Sequence, residues 1–203
     1  MVGSVARRKV DVRREEILAA TEAEVTRRGF ARTRVKDIAD VLGVSSALIF
    51  YHFGTKEKLF AEALGHAVSR DLTRLDVAVA KASGPADGVR RILALYQPAG
   101  EASSWTIWVD AWAESLREPE MRAMSRQLDL RWKDVLAEQI RLGNESGVFT
   151  CDDPEDAAWR ISALVDGLAV QVMVHRNLTR KQLRDLAARS TARELGCSPD
   201  LLT

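Results

Sequence analysis

Two serine hydroxyls, a phenol, an imidazole and an ammonium fall within a dozen residues: Ser45, Ser46, Tyr51, His52 and Lys56. Each suits a phosphate oxygen, and Ser46 also suits the edge of a base. Ala47 and Leu48, between them, offer apolar contact of the kind a thymine methyl accepts. Elsewhere the reactive groups do not gather. His52, His66 and His175 stand far apart, without a Ser/His/Asp signature, a phosphate-cradling glycine loop or metal-ligand spacing. His66 reads as a helix-surface residue and His175 as a core or interface residue. Cys151 and Cys197 have no CxxC or Cys/His partner, so neither a zinc site nor a disulfide framework is expected. The chain is therefore not expected to be an enzyme or to hold a cofactor or metal.

Three elements must position the polar group. Val35, Ile38, Ala39 and Leu42 recur at helical spacing and predict a helix over 35–42, with Thr33 a candidate N-cap. Gly43 ends it, since a residue at positive φ closes a helix cheaply there. Ser45 or Ser46 can cap a short second helix carrying Leu48, Ile49, Phe50 and Tyr51, and Thr55 caps a third that begins at Lys56. Ile49 and Phe53, four apart, are expected in the core. For Phe50, core and groove are equally good readings. A helix, a glycine turn and a second short helix are the parts of a reader of the DNA major groove.

The stretch 34–60, RVKDIADVLGVSSALIFYHFGTKEKLF, resembles the TetR family of bacterial transcriptional repressors. The matching residues are Ile38-Ala39, Gly43-Val44-Ser45, Phe50-Tyr51-His52-Phe53 and Lys56-Glu57-Lys58-Leu59. The resemblance implies phosphate contacts from Thr33, Ser45, Tyr51, His52 and Lys56. With Ser46, Ala47, Leu48 and Phe50 these make the expected DNA-binding set. Two departures stand out: Ala47-Leu48 replaces a usual Gly-Thr, and Phe50 replaces a usual Tyr. The operator sequence therefore does not carry over from relatives.

Charge distribution agrees with a nucleic-acid-binding module. Residues 1–58 hold 12 Lys/Arg against 8 Asp/Glu, a net +4, whereas residues 59–203 hold 18 against 21, a net −3. Residues 1–10 read as a disordered arm whose Arg7, Arg8 and Lys9 either lie along DNA or are simply solvated. The N-terminus lacks the apolar core of a signal peptide, and no apolar run is long enough to span a bilayer, so a cytoplasmic setting without a membrane partner is expected.

The rest of the chain reads as helices over about 11–28, 56–82, 85–97, 104–117, 119–143, 154–177 and 180–195, making nine in all. The fold class is all-α. The expected division is a DNA-binding head over 1–55 and a ligand-binding and dimerisation body over 56–203, with the helix from Lys56 connecting them. The helix after Asp153 is apolar on two faces: Trp159, Ala163, Val170 and Met173 on one, and Ile161, Leu164, Val165, Leu168 and Val172 on the other. A surface helix buries one stripe, so the second face predicts a partner subunit, with Gly167 permitting close approach. The resemblance likewise implies a homodimer through the last two helices, hence a palindromic operator.

Trp105, Trp108 and Trp112 share a helix face. Trp132 lies on a further apolar face with Met121, Leu128, Val135 and Leu142, interrupted by Gln139. Asp166 interrupts the first face of the helix after Asp153 and reads foremost as a structural carboxylate. These six residues, Trp105, Trp108, Trp112, Trp132, Gln139 and Asp166, are the candidate effector site, with core packing the plainer reading for the tryptophans. The C-terminal half resembles the branch that includes the choline-responsive betaine repressors, which implies a domain type. A cationic amine and a flat apolar effector both stay open. The expected function is a ligand-released dimeric repressor. The rival is an activator or ligand-independent regulator with the same head.

Overall fold

The computed structural model describes residues 3–98 and 103–203, with side chains over 14–98 and 105–203. Among these residues are nine α-helices, a closing 3-10 turn and no strand. The helices are α1 (Gly3–Arg28), α2 (Val35–Leu42), α3 (Ser46–Phe53), α4 (Lys56–Ala80), α5 (Pro85–Tyr96), α6 (Ser103–Ser115), α7 (Pro119–Glu145), α8 (Pro154–Met173) and α9 (Arg180–Leu195). No helix among the described residues is long and apolar enough to cross a membrane.

The boundaries follow local chemistry. Gly43 adopts φ 63°, and its amide donates to the carbonyls of Ala39 and Asp40, which closes α2. The Ser45 hydroxyl accepts the Leu48 amide at 3.2 Å and starts α3. Thr55 does the same for Lys58 at the head of α4, and Asp153 for Asp156 at the head of α8. Thr179 and Gln182 form a reciprocal capping box at α9.

Several expectations need correction. The chain is helical from Gly3, so it is not an irregular arm up to residue 10, and the side chains of Arg7, Arg8 and Lys9 lie outside the described residues. The N-cap of α2 is Arg34, one residue later than Thr33, because the Asp37 carboxylate accepts the Arg34 amide at 2.9 Å. Helix α8 stops at Met173 instead of running on to Asn177. The amides of Val174 and His175 both turn onto the Val170 carbonyl, and Arg176 then takes φ 56°. This exit leaves His175 exposed, not in a core. Leu142 is exposed too, and Ile140 takes the buried position on α7.

The chain divides into two compact units. The first comprises Met1–Arg70 with Ser103–Leu128, and the second Asp71–Ala102 with Asp129–Thr203. Helices α4 and α7 each contribute to both. The first unit buries Ile17, Val25, Phe30, Ile38, Ile49, Leu59, Leu64 and Val68. Within it α6 bonds directly to the end of α1, where the Phe30 amide donates to Asp110 Oδ2 at 2.6 Å. The second unit has a core of Leu75, Ile92, Trp132, Ile140, Phe149, Ile161, Val165, Ala187 and Leu195.

Candidate nucleic-acid interface and effector region

Helix α3 is short and two-sided. Ile49 and Phe53 are buried beneath it, anchoring it to the first unit. Its other face stays open: Tyr51 is 79 % exposed and Phe50 42 %. Ser45 and Ala47 are exposed, while Ser46, Leu48 and His52 are half-buried. The rings of Tyr51 and His52 meet edge to face at 5.5 Å. Two aromatic side chains left in water on one short helix are costly unless a partner covers them. Lys56 is half-buried, with Nζ 4.9 Å above the Phe60 ring. It lines a small cavity with Glu57, Phe60, Glu114, Glu118 and Met121, so carboxylates from α6 and from the turn before α7 lie in the same hollow as its ammonium.

Thr33 falls outside this surface. It is fully buried, and its hydroxyl donates to the Gly29 carbonyl at 2.8 Å, which ties down the α1–α2 loop from within. Four arginines absent from the sequence-based set, Arg27, Arg28, Arg32 and Arg34, line an open cleft with Asp37 at this loop. Their signal in the sequence was a run of cations spaced by small or apolar residues.

Of the expected effector residues, Trp105, Trp108 and Trp112 meet in the first unit. Trp112 lies 5.9 Å from Trp105, nearly perpendicular to it, and 6.2 Å from Trp108. Trp132, Gln139 and Asp166 belong to the second unit. There the Trp132 ring packs edge-on to Tyr96 at 5.1 Å, and the Tyr96 hydroxyl donates to Asp166 Oδ1 at 2.9 Å. Gln139 is buried against Gly88, where a Cβ would meet its Oε1 at 2.1 Å. Tyr96 carried no sequence signal linking it to Asp166.

Burial pushes the Asp166 carboxyl from 3.8 up to about 6. The Tyr96 hydrogen bond and the charge of Lys133 oppose that rise, and Asp129 adds to it. Burial, followed by the Asp166 charge, holds the Tyr96 phenol well above its ordinary value. The phenol therefore keeps its proton and remains the donor. Lys133 is buried beside Asp129 and sits 4.4 Å over the ring of Trp159.

Helix α8 has one closed and one open face. Ile161 and Val165 are buried, with Leu164, Leu168 and Val172 half-buried. Trp159 is 52 % exposed, and Ala163, Gly167 and Val174 are exposed near the same line. A Cβ on Gly167 would meet nothing within 4 Å.

Both halves of the chain are similar to known proteins. Residues 17–63 match the family described as bacterial regulatory proteins, tetR family. Residues 85–196 match the domain described as BetI-type transcriptional repressor, C-terminal. The HTH-type transcriptional regulator BetI of Stenotrophomonas maltophilia is 28 % identical over 164 residues, covering 77 % of this chain and 79 % of that protein. The HTH-type transcriptional repressor Rv3405c of Mycobacterium tuberculosis is 40 % identical over 91 residues, covering 43 % and 46 %. Among solved structures, a transcriptional regulator from Saccharomonospora viridis in complex with choline is 30 % identical with a TM-score of 0.80, over 90 % of this chain and 96 % of that one.

Proposed function

This chain belongs to the TetR family of bacterial regulatory proteins and carries a BetI-type C-terminal domain, and we propose that it represses transcription as a homodimer on a palindromic operator, from which a small-molecule effector releases it. The observation that carries this reading is the open face of α3. Tyr51 and Phe50 stand exposed on a helix held from below by Ile49 and Phe53, immediately after a turn closed by Gly43. The DNA contacts fall to Ser45, Ser46, Ala47, Leu48, Phe50, Tyr51, His52 and Lys56. Thr33 leaves the set because none of its surface reaches solvent.

DNA reading is assigned to residues 1–55, and effector binding and dimerisation to 56–203, with α4 connecting the two functions in the bacterial cytoplasm. The open stripe of α8, with α9 beside it, supplies the self-complementary surface. Two-fold symmetry then calls for two half-sites related by the same axis. Repression is supported by the description of the matched C-terminal domain.

The effector class is a small quaternary ammonium of the choline type, supported by the choline-bound relative. Each unit by itself offers groups that match its cation: tryptophan faces in the Trp105, Trp108 and Trp112 cluster of the first, and the Asp166 carboxylate of the second, the unit that also holds Trp132 and Gln139. Bound effector favours a state in which the two heads no longer match successive major grooves, which requires different affinities for the two states. One observation favours a ligand-independent regulator instead: Trp105 and Trp132 are buried, as core residues are.

The test is a choline titration of the homodimer, following tryptophan emission and operator affinity together. No tryptophan lies in residues 1–55, so emission reports on the rest of the chain. A saturable emission change accompanied by loss of operator binding supports the proposal. Saturable binding with unchanged operator affinity overturns release by this effector class.

A further inference from the structure

The loop joining α1 to α2 carries a cationic surface that the reading of α3 leaves unused. Its sequence, Arg27-Arg28-Gly29-Phe30-Ala31-Arg32-Thr33-Arg34-Val35-Lys36, places five cations in ten residues. The structure sorts them by side. Phe30, Thr33 and Val35 point inward and are buried, while Arg27, Arg28, Arg32, Arg34 and Lys36 are exposed. The loop is braced beneath by the Phe30 amide on Asp110 at 2.6 Å and the Thr33 hydroxyl on the Gly29 carbonyl at 2.8 Å. Its cations are thus presented on a fixed frame, which lowers the ordering cost of binding.

The charges are unevenly paired. Arg27 and Arg28 reach Glu24 at 2.6 and 2.8 Å, and Arg28 also lies 3.5 Å from Asp37. Among the described residues, no carboxylate comes within ion-pair distance of Arg32 or Arg34. Four guanidiniums therefore face two carboxylates, and the surplus sits on Arg32 and Arg34. The positive end of α2 already faces a carboxylate of its own first turn, Asp37, which accepts the Arg34 amide at 2.9 Å. The attraction for an anion accordingly comes from the side chains.

On the reading that α3 enters the major groove, we propose that this arginine cleft is a second phosphate-binding surface, gripping DNA backbone outside the half-site that α3 reads. In a helix-turn-helix the first helix crosses the sugar-phosphate backbone, and α2 is that helix here. Arg34 caps its leading end and Arg32 stands two residues before it. The guanidinium fork matches two oxygens of a phosphodiester, so arginine positions a backbone better than a point charge does. The cleft is open to solvent along the arginines that line it, which suits a passing stretch of backbone better than an enclosed ion. Its contacts carry no base information, so they strengthen binding to any sequence in the flank.

The test uses a duplex selected in vitro for binding, once with long random flanks and once trimmed to the bases that α3 protects. The probes are wild type, Arg32→Ala/Arg34→Ala, Arg32→Lys/Arg34→Lys and Tyr51→Ala. Thermal melting confirms that each folds, and neither arginine has an ion-pair partner to lose. The alanine pair should bind the long duplex more weakly and reduce the slope of log affinity against log salt by about 2, at roughly 0.9 per phosphate contact. On the trimmed duplex it should match wild type. The lysine pair should keep the slope and lose a few-fold in affinity. Tyr51→Ala should lose affinity on both duplexes and keep the preference for the long one.

An alanine pair with wild-type affinity and slope on the long duplex, while wild type still prefers it to a random-sequence duplex, overturns the cleft and leaves the DNA reading standing. Wild type that selects no duplex at all overturns both.

Discussion

Asp166 carries a cost that substitution should recover. Its carboxyl sits at about 6 against an ordinary 3.8, chiefly because of burial. A raised folded-state value means that the folded chain holds the proton more tightly than the unfolded chain does. The contribution to stability is therefore complete below pH 3.8 and is lost as the pH rises through 6. At about 1.36 kcal/mol per pH unit, the ionised folded state gives up about 3 kcal/mol. Asp166→Asn keeps an oxygen to accept the Tyr96 hydroxyl and removes the buried charge. The figure of about 3 kcal/mol is already net of the charge-assisted bond from Tyr96, which lowers the Asp166 value. The variant should thus be about 3 kcal/mol more stable than wild type at pH 8 and level with it near pH 4. Urea denaturation at fixed protein concentration, followed by tryptophan emission, would measure this, and wild type alone should lose stability between pH 4 and 7. A variant destabilised equally at pH 5 and pH 8 would refute the reasoning, since it would show that Lys133 and Tyr96 outweigh desolvation. A gain in stability joined to loss of choline response would mark Asp166 as a residue kept for function at the expense of the fold.

Gly167→Leu adds side chain to an open face, so it should stabilise the isolated helix by about 0.8 kcal/mol while shifting the sedimentation profile from dimer to monomer. A variant that dimerises as tightly as wild type would remove α8 from the interface. Asp110→Ala leaves the buried Phe30 amide without its acceptor and should cost about 1–3 kcal/mol, with faster hydrogen exchange at Phe30. Asp110→Asn should restore most of that loss. Lys56→Ala should weaken binding to all DNA sequences and lower the salt slope by about 1, and an unchanged slope would take Lys56 out of the phosphate set.

Local signals made the head legible. Val35, Ile38 and Ala39 share a face because the apolar period is that of a helix, and Gly43 marks its end because only the left-handed region closes it. Ile49 and Phe53 fall to the core for the same reason of spacing. The start of α2 at Val35 was legible, but its N-cap was misplaced by one residue because both Thr33 and Arg34 precede an apolar run. The choice rests on Asp37, which reaches back to the Arg34 amide while Phe30 and Gly29 draw Thr33 inward. The end of α8 was overrun because Val172, Met173 and Val174 continue the apolar pattern past the point where the Val170 carbonyl captures the turning chain. Pairings between distant segments were not legible at all. Tyr96 and Asp166 are 70 positions apart, and so are beyond any local pattern. His66 looked like a surface residue, yet it is half-buried with Nδ1 2.9 Å from Glu22 on α1, a partner 44 positions away.

The proposed functional division and the packing part this chain at different places. The proposed DNA contacts end at Lys56, the first residue of α4, but the compact unit that holds them also recruits Ser103–Leu128 from the middle of the sequence. A fragment cut after Thr55 would leave behind α6 and, with it, the carboxylate that holds the Phe30 amide. Engineers who graft the head of one regulator onto the body of another at that junction would seat it on a foreign α6. Whether such a hybrid folds would then turn on what occupies the position of Asp110, a residue in the donor of the body that touches no DNA.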